Sequence, residues 1–141
     1  MCTFCEIVSR EIFSHIVFED EVSLAFLDKR PLFPGHCLLV PKKHISTLVD
    51  LDASLVEQIF LNTRMLAKAV EETMRAQGTF VAINNKVSQS IPHLHIHIVP
   101  RNKKDGLRGF FWPRNPYKDE NHILEVHRSI TAAVAQIDVR F

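Results

Sequence analysis

Between Ile91 and Pro100 the chain reads Ile91-Pro92-His93-Leu94-His95-Ile96-His97-Ile98-Val99-Pro100. Three of its eight histidines stand at alternate positions, with apolar residues between them. A period of two is a strand signature. It predicts His93, His95 and His97 on one face, about 7 Å apart at a rise of about 3.3 Å per residue. Leu94, Ile96 and Ile98 then face the core. Imidazole titrates near neutrality, ligates metals and can act as a nucleophile. Three readings follow: a catalytic metal site, a nucleophile with supporting imidazoles, or three hydrogen-bonded core histidines. The third requires a separate buried partner for each ring. The first calls for nearby carboxylates, and no acidic residue lies between Glu72 and Asp105. The second needs an electrophile suited to imidazole. Phosphorus fits, because a phosphohistidine intermediate splits one difficult displacement into two. Asn84, Gln89, Ser90 and the amides around Ser90 lie just upstream and can donate to phosphate oxygens.

Cys2-x-x-Cys5 has the spacing of half a four-ligand zinc site. Two further ligands must come from elsewhere, and His44 and His93 are the candidates; the alternative is two small apolar residues. Cys37, flanked by Leu38 and Leu39, reads as a buried apolar residue. Asp28 ends the apolar run Leu24–Leu27, where it is either a turn residue or an acceptor for the vicinal hydroxyls of a ribose. His36 reads either as a loop histidine or as a group backing the histidine row. Phe4, Ile7 and Phe26 form either an apolar slot for a base or ordinary core.

These residues need a scaffold, and 141 residues suffice for one domain with a real core. Hydrophobic residues make up 46 % and the net charge is +1, which gives no pull toward nucleic acid or a membrane surface. No apolar run reaches a membrane-spanning length, and the N-terminus lacks the basic and apolar regions of a signal peptide. The expected location is the cytoplasm, with the three cysteines not serving as a disulfide framework. Ile16–Glu19 and Ser23–Leu27 read as strands around an acidic turn, and Pro31–Gly35 as a loop. Cys37–Val40 reads as a strand ended by Pro41. Ser54 and Glu57 fit a capping box that opens a long helix, and Gly78 fits its stop. Leu55, Ile59, Leu66 and Val70 fall near one helical face, widened by Val56, Phe60 and Ala67. Thr79–Ile83 is a further strand before the histidines. Beyond Arg101 come a basic loop, the aromatic segment Phe110–Tyr117, and a helical repeat from Ile123 to Ile137. The predicted class is α+β: a mostly antiparallel five-stranded sheet with a long helix on one face, plus a C-terminal helix. The expected organisation is one domain over 1–141, with a core of about 2–101 and an extension over 102–141.

Together these residues resemble the histidine triad (HIT) superfamily of nucleotide hydrolases and transferases, nearest its Hint-type branch. The signature His-φ-His-φ-His-φ-φ, with φ apolar, is complete in His93–Val99. Phe4–Val8, Ala25–Asp28, Pro34-Gly35-His36, Leu39–Ile45 and Gln89-Ser90 also match in order and spacing. The resemblance implies that His95 attacks an α-phosphorus to form a nucleotidyl-histidine, which water then cleaves. It implies that His97 binds a phosphate oxygen near the leaving group and that His36 stands behind the nucleophile. Asn84, Gln89 and Ser90 would contact the phosphate, and Asp28 the ribose. Phe4, Ile7, Phe26, Leu27 and Leu38 would line the nucleoside pocket. Cys2, Cys5, His44 and His93 would bind a structural zinc, with no cofactor required for the chemistry. It further implies a homodimer paired through the long helix and the strand after it, acting on purine nucleotides. The expected substrates are purine nucleoside phosphoramidates. Dinucleoside polyphosphates are the alternative, and a nucleotide-binding regulatory protein with little turnover is another. The family's phosphate loop usually carries a glycine shortly before Gln89, whereas this chain reads Asn84-Asn85-Lys86-Val87-Ser88.

Overall fold

A computed structural model describes residues 1–108 and 114–141. They fall into two compact units, Met1–Asp105 and Gly106–Phe141. The first unit holds all the candidate residues. It contains a five-stranded antiparallel sheet in the order β1-β2-β3-β5-β4. The strands are β1 (Ile16–Glu19), β2 (Ser23–Leu27), β3 (Cys37–Pro41), β4 (Gly78–Ala82) and β5 (Ile96–Arg101). Helix α1 (Thr3–Val8) precedes the sheet, and α2 (Ala53–Thr73) connects β3 to β4. The expected α+β class and the strand count hold.

Side-chain alternation along β2 and β3 builds two cores. Ala25, Cys37 and Leu39, with Ile96 and Ile98 of β5, pack on Ile59, Leu66 and Val70 of α2. Leu24, Phe26, Leu38 and Val40 point the other way and pack on Phe4 and Ile7 of α1. Burial on both faces explains why these strands are apolar throughout rather than alternating with polar residues. Cys37 is buried, as its neighbours predict. Register sets Phe26 opposite Leu38, and Leu38 opposite His97, so His97 lies over the α1 side of the sheet. On α2, Val56 and Phe60 stay exposed, whereas Asn62 and Thr63 are buried. Asn62 Nδ2 donates to Asp20 Oδ2 (2.7 Å) and to Ser23 Oγ (2.8 Å). It thereby ties the β1–β2 turn to α2.

Three local expectations are corrected. The cap of α2 is Asp52, not Ser54: the Asp52 carboxylate accepts from the Ser54 amide at 2.8 Å and from the Ser54 hydroxyl at 2.7 Å, which starts the helix earlier. Its end comes at Thr73, before Gly78, where Arg75 takes a left-handed φ of 51°. Gly78 instead opens β4. Only His97 lies within a regular strand, since β5 begins at Ile96. Pro92 has no N–H to offer, and the His93 amide curls back to Ile91 O at 2.8 Å, so ladder pairing starts later. The sequence reading missed α1 altogether.

The second unit contains α3 (Glu120–Gln136), capped by Asp119, whose carboxylate accepts from the His122 amide at 2.8 Å. Its predicted apolar stripe exists, yet Ile130, Val134 and Ile137 are exposed. Of the aromatic segment, Phe110, Phe111, Trp112 and Pro113 lie outside the described residues. Among the described residues, no helix is long and apolar enough to cross a membrane.

Candidate active site

Backbone partners fix where each ring carries its proton, because an amide can only donate and a carbonyl can only accept. The buried His95 places Nδ1 2.7 Å from His93 O. Nδ1 must therefore carry a proton, and the neutral ring has its lone pair on Nε2. A second chain of bonds starts at the Leu32 amide, which donates to His36 Nδ1 at 3.1 Å. His36 must then be protonated at Nε2, which lies 3.0 Å from His97 Nδ1. His97 accepts there, so its own proton sits on Nε2. The rings of His95 and His97 are 5.0 Å apart. One therefore offers a lone pair and the other an N–H, side by side.

Burial, then the nearness of His95 and His36, pushes the pKa of His97 down to about 4, against a small opposing pull from Asp28. Burial also lowers that of His36, with Asp28 opposing; the Asp28 carboxylate lies 3.8 Å from His36 Nε2. Both rings are neutral at pH 7, as the deduced tautomers require.

His95 and His97 open onto a cavity of about 620 Å³. All six predicted nucleoside-pocket residues line it: Phe4, Ile7, Phe26, Leu27, Asp28 and Leu38. Phe4 comes from α1 and meets the Phe26 ring at 5.5 Å and the His95 ring at 5.1 Å, edge-on. A mostly apolar cleft with a few convergent polar groups is the usual form of a small-molecule site. Asp28 is fixed in its loop: its amide donates to His36 O at 2.9 Å, and its Oδ1 accepts from the Arg30 amide at 2.8 Å.

A third ring is oriented for different work. His93, fully buried, donates from Nε2 to Pro41 O at 2.8 Å. Its Nδ1 lone pair thus faces Cys2 Sγ at 3.4 Å and Cys5 Sγ at 3.6 Å. His44 Nδ1 stands 3.3 Å from Cys5 Sγ. The Cys-x-x-Cys pair occupies the start of α1, where residues three apart share a face. All four ligand atoms lie within 4.8 Å of one another. Tetrahedral zinc, with bonds of about 2.3 Å to sulfur and about 2.05 Å to nitrogen, sets sulfur–nitrogen distances near 3.6 Å. The cluster fits that geometry. Burial and then the Cys2 thiol push the Cys5 thiol pKa up, an effect that a bound cation reverses.

The HIT domain model matches residues 9–104. The chain belongs to the HIT family. This HIT chain is 36 % identical over 138 residues to Protein hit of Bacillus subtilis, covering 95 % of the chain and 94 % of that protein. It is 33 % identical over 108 residues to adenylylsulfatase HINT3 of Arabidopsis thaliana, covering 75 % of the chain and 55 % of that protein. Among solved structures it resembles a zinc-bound histidine triad family protein from Mycobacterium smegmatis. The identity is 33 % and the TM-score 0.71, over 96 % of this chain and 97 % of that one.

Within this HIT site, Ser90 lines the cavity, whereas Asn84 and Gln89 are not among its lining residues. The Gln89 amide braces its own loop: Oε1 accepts from the Lys86 amide at 2.9 Å and Nε2 donates to Ser46 O at 2.6 Å. The missing loop glycine has a backbone counterpart. Lys86 and Ser88 take φ values of 67° and 60°, the region that glycine enters without strain. The sequence reading also missed Thr3, Lys29, Arg30 and Ile91, which line the cavity. The position of Lys29 and Arg30 directly after Asp28 was the available signal.

Proposed function

We propose that this chain is a nucleotide hydrolase working through a nucleotidyl-His95 intermediate, with purine nucleoside phosphoramidates as substrates. The observation that carries the proposal is the hydrogen-bond arrangement: His95 Nδ1 on the His93 carbonyl and His97 Nδ1 on His36 Nε2, which leaves the Nε2 of both rings for substrate at one cavity. His95 Nε2 attacks the α-phosphorus as the bond to the leaving group breaks. The His93 carbonyl accepts from Nδ1–H and so stabilises the positive charge that grows on the ring. The His97 Nε2–H donates to the departing group or to a phosphate oxygen. Water then attacks the same phosphorus, the nitrogen–phosphorus bond breaks with its electron pair returning to Nε2, and the surplus proton leaves to solvent. Ser90 supports the phosphate from the loop, and Gln89 braces that loop through Lys86 and Ser46, with Asn84 at its start. Asp28, with Oδ2 not engaged by the Arg30 amide, accepts from ribose hydroxyls. The apolar walls Phe4, Ile7, Phe26, Leu27 and Leu38 hold the purine.

Cys2, Cys5, His44 and His93 would hold zinc as a structural ion. Four protein ligands leave no open position for substrate, and the ion joins α1 to the sheet. Two features support a homodimer: β4 is an edge strand, and α2 exposes Val56 and Phe60.

The test is release of AMP from adenosine 5′-phosphoramidate by wild type, His95→Asn and His95→Ala. A loss of about 1,000-fold or more is expected from either variant. Release at the wild-type rate by either one sinks the mechanism.

A further inference from the structure

The two cysteines beside His93 are open to solvent chemistry in a way that the third is not. Cys2 and Cys5 are half-buried, and His44, which completes the cluster, is exposed, so a small solute reaches the sulfurs. Both sulfurs face one nitrogen, His93 Nδ1, at 3.4 and 3.6 Å. The four ligand atoms lie within 4.8 Å of one another. Cys2 precedes the first residue of α1 and its side chain makes no capping bond, so its sulfur is free to turn toward Cys5. Cys37 takes no part. It is buried in the core between the sheet and α2, where its thiol donates to Gly35 O at 3.3 Å, whereas Cys2 packs on the core of the α1 side. His44 also begins the stretch that braces the phosphate loop. Ile45 O accepts from the Leu94 amide at 2.6 Å, and Ser46 O accepts from Gln89 Nε2 at 2.6 Å. The Leu48 amide donates to Asn85 Oδ1 at 2.9 Å. A change at the thiols therefore reaches, through His44, the loop that carries Ser90.

We infer that Cys2 and Cys5 form an oxidation site: hydrogen peroxide joins them as a disulfide, the cluster loses its hold on a metal ion, and nucleotide binding at the cavity weakens. The inference rests on the zinc and nucleotide readings above and adds a means of regulating that site. One thiolate attacks a peroxide oxygen, the oxygen–oxygen bond breaks, and a sulfenic acid and a hydroxide result. The other thiolate attacks the sulfenic sulfur, forming the sulfur–sulfur bond as a second hydroxide departs. The two thiolates give up two electrons and the peroxide takes them. The thiolate, not the disulfide, is the metal ligand, so two of four ligands are lost at once. His44 then loses its tether, and the 45–48 stretch holds the phosphate loop less firmly.

The experiment is a hydrogen peroxide titration of the zinc-loaded chain. Released zinc is followed with a chromophoric chelator, the disulfide by peptide mass mapping, and AMP affinity by calorimetry. One zinc should be released for each Cys2–Cys5 disulfide formed, and AMP should then bind roughly three- to tenfold more weakly, the loss of about one hydrogen bond's worth of support. Dithiothreitol with added zinc should restore both. Cys37→Ser should respond as wild type does. Cys2→His keeps four ligands but a single thiolate, and should retain its zinc and its AMP affinity at peroxide doses that empty wild type. Four results overturn the inference: thiols that stay reduced, zinc lost without a Cys2–Cys5 disulfide, equal release from Cys2→His, or AMP affinity unchanged by release. A chain that holds no zinc, or binds no AMP, before peroxide is added overturns the inference together with the reading beneath it, and the untreated sample shows which. Neither readout needs turnover, so failure of the hydrolase mechanism shows separately, as a chain that binds AMP but releases none from adenosine 5′-phosphoramidate.

Discussion

The histidine relay makes a specific demand on acid stability. His97 holds its pKa near 4 in the fold, against 6.5 in an unfolded chain, chiefly through burial. Between those values the unfolded chain binds a proton on this ring and the folded chain does not. Stability therefore rises with pH across the window and is lost as pH falls from 6.5 toward 4. The gap corresponds to about 3 kcal/mol at about 1.36 kcal/mol per pH unit. Solvent reaches the partly exposed ring and trims the effect to about 2 kcal/mol. Replacing His97 by Gln removes the titration while keeping a donor and an acceptor on the side chain. Urea unfolding at pH 7, 6, 5 and 4.5 would be measured for both proteins with zinc present. Wild type should lose about 2 kcal/mol more than His97→Gln between pH 7 and 4.5. The acid-labile metal ligands are common to both proteins and cancel in the comparison. Equal losses would refute the reasoning, because His97 would then take up its proton as readily in the fold as outside it.

Metal analysis should find about one zinc per chain, and Cys5→Ser should lower the melting temperature by at least about 5 °C; an unchanged Tm rules out a stabilising ion. Asn62→Ala strips donors from Asp20 and Ser23 and should cost about 1–3 kcal/mol in chemical denaturation. Burial raises the Asp20 pKa, but the Asn62 and backbone hydrogen bonds outweigh it and hold the group below its usual value. Its contribution is therefore present above about pH 4 and lost in more acid solution, and Asn62→Ala should weaken that dependence. Gly35→Ala should destabilise by about 1–3 kcal/mol, since φ is +96° and a Cβ would lie 2.7 Å from Met74 Cγ. Adding Met74→Ala should recover only the part due to the clash.

The strands and the long helix were legible because continuous apolar runs such as Leu24–Leu27 and Cys37–Val40, and the helical spacing of Leu55, Ile59, Leu66 and Val70, mark them locally, whereas the strand order and the second core come from pairing and packing that no local pattern shows. Phe4, Ile7, Phe26, Leu27, Asp28 and Leu38, singled out by the family pattern, line one cavity. What escaped was set by long-range or competing contacts. Helix α1 is too short for a periodic signal and is defined by Phe4 and Ile7 packing on β2 and β3. Asp52 displaced Ser54 because two plausible caps competed over three residues. The strict alternation of the histidines implied a single strand, but Pro92 and the turn at His93 break it. Gln89 was read as a phosphate contact, yet in this structure its amide is engaged by Lys86 and Ser46, partners that local sequence does not reveal.

Besides the hydrogen bond from its amide to Ile91 O, His93 makes three attachments that each serve a different neighbour. One ring nitrogen is anchored to Pro41 O, the other faces the thiols, and its carbonyl fixes the tautomer of His95. The cysteine cluster and the nucleophile therefore share one residue as a hinge pin. Removing the ion would release His93 on one side and let its carbonyl drift, loosening the bond that keeps the lone pair on His95 Nε2. On the hydrolase and zinc proposals above, a zinc-depleted chain would then be a slower catalyst as well as a less stable one, although four protein ligands would keep the ion from touching substrate. The two sites are thus mechanically joined through a single side chain and its own carbonyl.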